Sequence, residues 1–434
     1  MDDHGKSRCR FVRRDARIAC SIAVALSLGL LLAPADAHAL PRYAAQEGLP
    51  CRACHLDPGG GGMRRGPGSD EVPRLRLPIM PWTGVSGAPD SDARESGSQP
   101  VAAPPGQVTP WLAFGGDARL AYRWERPDRR TGPDGSRLTT NTFDLPQGSL
   151  YVGATVHENV TISLTVDIDP SFEAWGLFRL LPDDSESNLM VRAGRFMPPF
   201  GLPLGRDDRF TRAAVGLGRA DRDTGFEVIG FAGPLTGQIA LVNGTFGLTS
   251  LDINGSERRL FEKAVAGRFS LRLSFGPLRA EVGLGGYYGD NSPRANPLFD
   301  SEIPPAATAD VARGVDEVRA GGFLLASLGP VDYVAELIYV RDMFRADSLA
   351  ADDGYASHQE LTVTPIRGIA GMVELDFVDP ETEFRDNGSL RAGLGAQLFP
   401  WPYLELRATA GRTWSDATPT GGQWDVGIDC HVFM

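Results

Sequence analysis

The chain has 434 residues, of which 42% are hydrophobic and 23% charged, and its formal net charge is −12. That balance argues against a nucleic-acid partner, because a protein that neutralises phosphates needs a basic surface. After residue 39 no apolar stretch reaches the roughly 20 residues of a membrane-spanning helix, which argues against a helical inner-membrane protein. With 52 glycines and 33 prolines the chain is either disordered or rich in turns, and its periodicity decides for turns.

The N-terminal part is polar and carries Arg10, Arg13, Arg14 and Arg17. An apolar run from Cys20 to Leu32, about 13 residues long, leads into Ala37-His38-Ala39. This order of basic, apolar and small residues predicts a secretory signal peptide over 1–39, with an uncleaved anchor as the alternative. Cleavage would leave Cys51, Cys54 and Cys430, too few for a disulfide scaffold.

Residues 40–82 are expected to form a compact haem-bearing segment. Cys51-Arg-Ala-Cys54-His55 is a CxxCH pentapeptide, in which two thiols can add to the haem vinyl groups and the next imidazole is placed to bind the iron. The expected cofactor is one covalent haem c, attached through Cys51 and Cys54, with His55 as the proximal ligand. A redox disulfide or half a zinc site shares the CxxC pattern, but no second CxxC or paired-histidine motif completes a zinc set.

The sixth ligand is open. Met80 sits in Pro78-Ile-Met-Pro81, similar to the Met-Pro of many small c-type cytochromes. Met63 follows the glycine run 59–62, which can fold back over a haem. His157 and His431, both expected on the periplasmic side of the barrel described next, are further donors. His358 is expected in or beside a loop and solvated, and Met197 reads as structural. Arg64 and Arg65 either pair with haem propionates or belong to a solvated loop. Residues 83–109, rich in Gly, Ser, Pro and Ala, read as a flexible linker.

From Pro110 to Met434 the pattern becomes segments of about ten residues that alternate with period two. Val265, Gly267, Phe269, Leu271, Leu273 and Phe275 make an apolar face against Arg268, Ser270, Arg272 and Ser274. Ile369 to Phe377 and Leu404 to Ala410 repeat the design. Such a dyad pattern suits strands with lipid on one side and water on the other. The predicted fold is therefore all-β: a transmembrane antiparallel β-barrel over 110–434. A soluble β-sandwich shares the alternation, but the loop lengths oppose it. Tight turns at Gly233-Pro234, Gly276-Pro277, Gly329-Pro330 and 400–402 alternate with long polar loops near 198–222, 246–262, 290–314 and 343–355.

The pattern predicts sixteen strands, near 111–123, 147–156, 160–168, 173–181, 188–197, 224–232, 236–246, 264–275, 278–289, 315–328, 331–342, 356–363, 366–377, 389–399, 402–414 and 423–433. Trp124, Trp175, Trp401, Tyr403, Trp414 and Trp424 are expected either in interfacial girdles or as loop anchors. Loop carboxylates, among them Asp207, Asp208, Asp221, Asp223, Asp290, Asp352 and Asp353, either collect cations or simply solvate the loops. The last strand ends Val432-Phe433-Met434, similar to the aromatic-terminated strand of bacterial outer-membrane proteins except that Phe433 is penultimate.

Two resemblances meet in the chain. The entry from Tyr43 to His55, ahead of a barrel, looks like that of the fused outer-membrane monohaem cytochrome and porin proteins of iron-oxidising bacteria. Val191-Arg-Ala-Gly-Arg-Phe-Met-Pro-Pro-Phe-Gly201 and the stretch Asp223 to Gly244 are similar to the phosphate-selective porin family, which implies a sixteen-stranded barrel. That family depends on lumen lysines, whereas Lys263 is the only lysine in this barrel. Inward arginines (Arg268, Arg272, Arg391, Arg407) interleave with acidic residues, so the resemblance implies the fold and not the solute.

The resulting expectation is an outer-membrane electron-transfer protein, compatible with iron-oxidase activity. Its single haem, in the lumen or on the periplasmic side, exchanges electrons with an external donor or acceptor such as ferrous iron. A periplasmic cytochrome c or other redox carrier is the inner partner. The alternative is a solute-conducting porin whose haem segment is a peripheral tether or sensor; a haem peroxidase is a third reading, opposed by the lack of a distal His/Arg constellation. Outer-membrane lipid is an expected partner, and an oligomer is compatible with the pattern. A segment of about 40 residues is too small for a stable core of its own, so it must lean on its haem and on the mouth of the barrel.

Overall fold

The computed structural model describes residues 54–57, 63–64, 77–80, 106–109, 111–128, 139–168, 171–181, 187–202, 210–211, 221–244, 263–291, 315–344, 352–380, 382, 387–415 and 422–433. The expected signal segment, Cys51, residues 81–105 and the loop residues Asp207 and Asp208 lie outside them. Within the described residues the chain forms β1 (Gln107–Thr109), β2 (Leu112–Pro127), β3 (Thr140–His157), β4 (Val160–Asp167), β5 (Phe172–Arg179) and β6 (Ser187–Phe196). These are followed by β7 (Asp223–Ala232), β8 (Leu235–Val242), β9 (Ala264–Phe275), β10 (Leu278–Asn291), β11 (Val315–Leu328) and β12 (Val331–Phe344). The last five are β13 (Asp352–Ile366), β14 (Ile369–Asp379), β15 (Ser389–Leu398), β16 (Leu404–Ser415) and β17 (Gly422–Phe433).

Each strand from β2 to β17 pairs antiparallel with its neighbour in sequence, and β17 returns to β2 with Phe433 opposite Asp117 and Gln423 opposite Pro127. The result is a closed ring of sixteen strands. Closure leaves no strand edge exposed, the condition for a sheet in hydrocarbon. The short β1 pairs with the start of β2, and the Phe114 N–H donates to the Gly106 carbonyl at 2.8 Å. The end of the expected linker is therefore a strand. Its sequence, Gln-Val-Thr, is too short to carry a period.

All sixteen predicted strands are present. β9 and β11 match their predicted limits, and β13 is extended at both ends, which shortens the expected 343–355 loop. The three Gly-Pro pairs form two-residue turns with Gly233, Gly276 and Gly329 at φ 55°, 59° and 56°. Glycine supplies the positive φ that a tight hairpin needs at its first turn position, and proline fits the second.

The polarity of the wall is inverted relative to a soluble barrel. Leu150, Phe226, Phe269, Leu284, Leu337, Leu394 and Ile428 are exposed on the outside, while Arg192, Glu227, Arg268, Glu336, Glu374 and Arg407 are buried inside. Lipid-facing apolar residues and a polar interior are the design of a transmembrane barrel. Trp401, Trp414 and Trp424 lie on the outer face, and Arg412 sits between the last two at 5.4 and 5.0 Å from their rings. Two sequence expectations need correction. Trp175 points inward and is buried, because the register of β5 puts it on the face shared with Leu177. His358 is not a solvated loop residue. It lies in mid-strand on β13, 1% exposed, with Nδ1 2.7 Å from Asp376 of β14.

Leu394 is 64% exposed in the middle of β15. Leu394→Arg is expected to destabilise the barrel by about 2–4 kcal/mol, read from reversible unfolding in lipid vesicles.

Candidate functional site

The residues after the CxxCH motif lie against the inner wall. His55 is paired antiparallel with Arg64, and the Leu56 N–H donates to the Met63 carbonyl at 2.9 Å. Asp57 Oδ2 accepts from Arg192 Nη1 of β6 at 2.6 Å. The same guanidinium donates through Nε to Glu227 Oε2 of β7 at 2.6 Å and lies 4.3 Å above the Phe196 ring. Glu227 in turn accepts from Gln238 of β8 at 3.0 Å. One buried arginine thus ties the N-terminal segment to the wall, in the planar two-sided geometry that guanidinium offers carboxylates.

A glycine makes room for this segment. A Cβ built on Gly153 of β3 would stand 2.7 Å from Met63 Sδ and 2.8 Å from Leu56 Cδ2. On the other side of the hairpin, the Arg64 guanidinium caps the Phe433 ring of β17 at 4.3 Å. A second stretch runs along the rim. Leu77 is buried with Phe399 and Phe433, the Ile79 N–H donates to the Phe399 carbonyl at 2.8 Å, and the Met80 N–H to that of Pro400 at 3.3 Å.

The chain leaving β6 also turns inward. Leu202 is buried with Phe323, Leu325 and Val334, and its N–H donates to Glu336 Oε1 of β12 at 2.8 Å. Phe200 joins Trp175, Met190, Phe196, Ile229 and Tyr287 in an apolar cluster inside the barrel, and Leu56 packs on the same cluster. Phe210 packs on Ala356 and Val378, so the stretch that begins after Phe196 reaches across to β13 and β14. At its far end Arg222 is bonded to Asp167 and lies 3.0 Å from Glu173 Oε2, which fastens it back to β4 and β5. Two pieces of chain therefore meet within the lumen around a common hydrophobic core.

The remaining wall carries paired charge. Arg391 reaches Asp425 at 2.8 Å and Glu374 at 3.2 Å, and Arg407 reaches Glu374 at 2.5 Å. Arg268 faces Glu281 at 3.4 Å, and Arg123 faces Asp429 at 2.8 Å. Of the inward arginines anticipated in the sequence, Arg268, Arg391 and Arg407 are paired with carboxylates, whereas Arg272 donates to the Gly233 carbonyl at 3.1 Å.

Of the expected haem residues, Cys54 and His55 are half-buried on the lumen side, while Cys51 lies outside the described residues. Met63 is buried against β3, and Met80 is 61% exposed at the rim. His157 is exposed at the end of β3, its Nδ1 3.2 Å from the Asn159 N–H. His431 is buried on β17 beside Glu405 of β16, with Nδ1 3.2 Å from Glu405 Oε2. The described residues contain no cluster of three or more His, Cys, Asp or Glu suited to a metal ion. Sequence reasoning missed Asp57, Arg192 and Gly153. Arg192 lay within the recognised 191–201 motif, and the signal was apolar residues at inward positions: Met190, Ile229, Phe231 and Val242 are large for a water-filled face.

No protein-family model matches the chain, and no curated protein is similar to it in sequence. Among solved structures, OprB of Pseudomonas putida superposes with a TM-score of 0.53 at 9% identity, covering 75% of this chain and 94% of its own. An anion-selective porin from Comamonas acidovorans gives 0.49 at 10% identity over 74% of this chain and 99% of its own. The chain has the fold of outer-membrane porins.

Two expectations follow. Gly153→Leu should drive Leu56 and Met63 off the wall, read as faster proteolysis of the N-terminal segment in the inserted protein. Arg192→Ala leaves Asp57 and Glu227 facing each other without their cation, and should cost about 3–5 kcal/mol of stability in the same lipid-vesicle unfolding assay.

Proposed function

We propose that this chain is an outer-membrane barrel that holds one covalent haem c on Cys51, Cys54 and His55 and passes single electrons between an external donor or acceptor and a periplasmic carrier. The observation that carries the reading is the tie between Asp57, two residues beyond the proximal histidine, and Arg192 inside the barrel. The residue two positions beyond His55 is thereby held to the lumen wall, which supports placing the motif nearby. A haem bound there supplies a one-electron couple whose potential depends on the axial ligands.

The chain's own groups fit that task. His55 sits beside a wall that also offers a buried imidazole, at His431, with one nitrogen that has no partner among the described residues. Asp57 and Arg192 fix the segment's position, and Leu56, Met63 and the apolar cluster exclude water from one side of it. In each turnover one external donor, such as ferrous iron, is oxidised by one electron, and one carrier, such as a periplasmic c-type cytochrome, is reduced by one. Since the hydrocarbon layer is about 30 Å thick, one centre needs a partner on at least one side.

The test is to purify the protein from outer membranes, assay covalent haem, and mix it rapidly with ferrous iron and then with oxidised cytochrome c. The expected result is covalent haem that ferrous iron reduces and the cytochrome reoxidises. Conductance should be low for the intact protein and rise in a variant lacking residues 40–107. Haem that ignores external donors in an already conducting channel would replace this reading with the tethered porin, and absence of covalent haem would remove it.

A further inference from the structure

We infer that His431, on the strand that closes the barrel, supplies the sixth ligand to the haem iron through Nε2, with Glu405 as its positioning residue. The inference rests on the covalent-haem reading above. His431 is 7% exposed on the inner face of β17. Its Nδ1 lies 3.2 Å from Glu405 Oε2 and 3.4 Å from Arg119 Nη2, while its Nε2 is buried and has no hydrogen-bond partner among the described residues.

The two Nδ1 neighbours demand opposite tautomers. If Nδ1 accepted from Arg119, the proton would sit on Nε2 and a buried N–H donor would have no acceptor, an unfavourable state. If Nδ1–H of the neutral imidazole donates to the closer, anionic Glu405, Nε2 carries the lone pair. A histidine with a carboxylate on one ring nitrogen and an open lone pair on the other has the arrangement of a metal ligand with its outer-shell partner. In the absence of a ligand, a buried, unused acceptor is a cost with no structural return.

Position supports the same assignment. The Phe433 ring lies 5.2 Å from the His431 ring, and Arg64 caps Phe433 at 4.3 Å. Arg64 is the residue paired with His55. The proximal histidine and His431 are thus linked by a short chain of contacts at one corner of the lumen, where β17 meets β2. The other donors are less suited. Met80 is exposed at the rim and Met63 Sδ is packed on the β3 wall. His157 faces solvent, and His358 is engaged with Asp376 four strands round the wall.

The experiment uses full-length protein purified from outer membranes, with covalent haem quantified first as the alkaline pyridine adduct. The wild type should give a low-spin ferric electron paramagnetic resonance signal with two axial imidazoles. His431→Ala should keep its covalent haem, turn high-spin, and regain the low-spin signal on addition of imidazole. His431→Met, which restores a ligand in case the alanine variant fails to insert, should stay low-spin with a raised midpoint potential. Glu405→Gln should remain low-spin and also shift the potential upward, because the imidazole loses its anionic partner. Met63→Ala and Met80→Ala should match the wild type. A low-spin His431→Ala protein without imidazole, an unshifted potential in His431→Met, or a high-spin Met80→Ala or Met63→Ala protein would overturn the assignment while leaving the haem in place. A wild type with no covalent haem would instead overturn the reading on which it rests.

Discussion

A backbone amide in hydrocarbon has no water to bond, so every strand in this molecule must find a neighbour on both sides. The pairing of β17 with β2 meets that demand for the whole sheet, and the rest of the architecture follows from it. Once the sheet is a ring, its outer face must be apolar and its ionisable residues are driven inside. There, acids and bases share one confined space, and two guanidinium groups lie between pairs of carboxylates: Arg391 between Asp425 and Glu374, Arg192 between Asp57 and Glu227. The inner wall is therefore a surface of oriented charge ready to hold another piece of the same chain.

The N-terminal segment makes use of that surface. Too short to bury a core of its own, it contributes Leu56 to an apolar cluster whose other members come from the wall and from the chain beyond β6. Its carboxylate at Asp57 answers the charge of Arg192, and Gly153 gives Leu56 and Met63 the space they occupy. The wall and the segment each supply what the other lacks, so neither Arg192 nor Asp57 is intelligible alone.

The barrel was legible in the sequence because its two governing signals are local. Period-two alternation marks every strand, and Gly-Pro turns punctuate the hairpins, so even β5 and β13, with their mixed composition, were placed within a few residues. Trp175 and His358 were misread because burial on the inner face follows from register around a closed ring, and a single strand does not reveal which of its faces is inside when both carry apolar residues. The Asp57 to Arg192 tie joins positions 135 residues apart, and nothing in local patterning pairs them. The CxxCH pentapeptide is visible as a pattern, whereas the contacts of the residues that follow it come only from the three-dimensional arrangement.

The closure of the ring by β17 also bears on what the ring contains. Phe433 and His431 stand at the end of the last strand, and the segment around His55 and Arg64 lies inside the ring that this strand seals. Arg64 rests on a residue of the strand that completes the ring, so the segment's seat at this corner is finished only when β17 is in place. Truncating the last strand would therefore remove part of the lumen filling's support together with the joint in the wall.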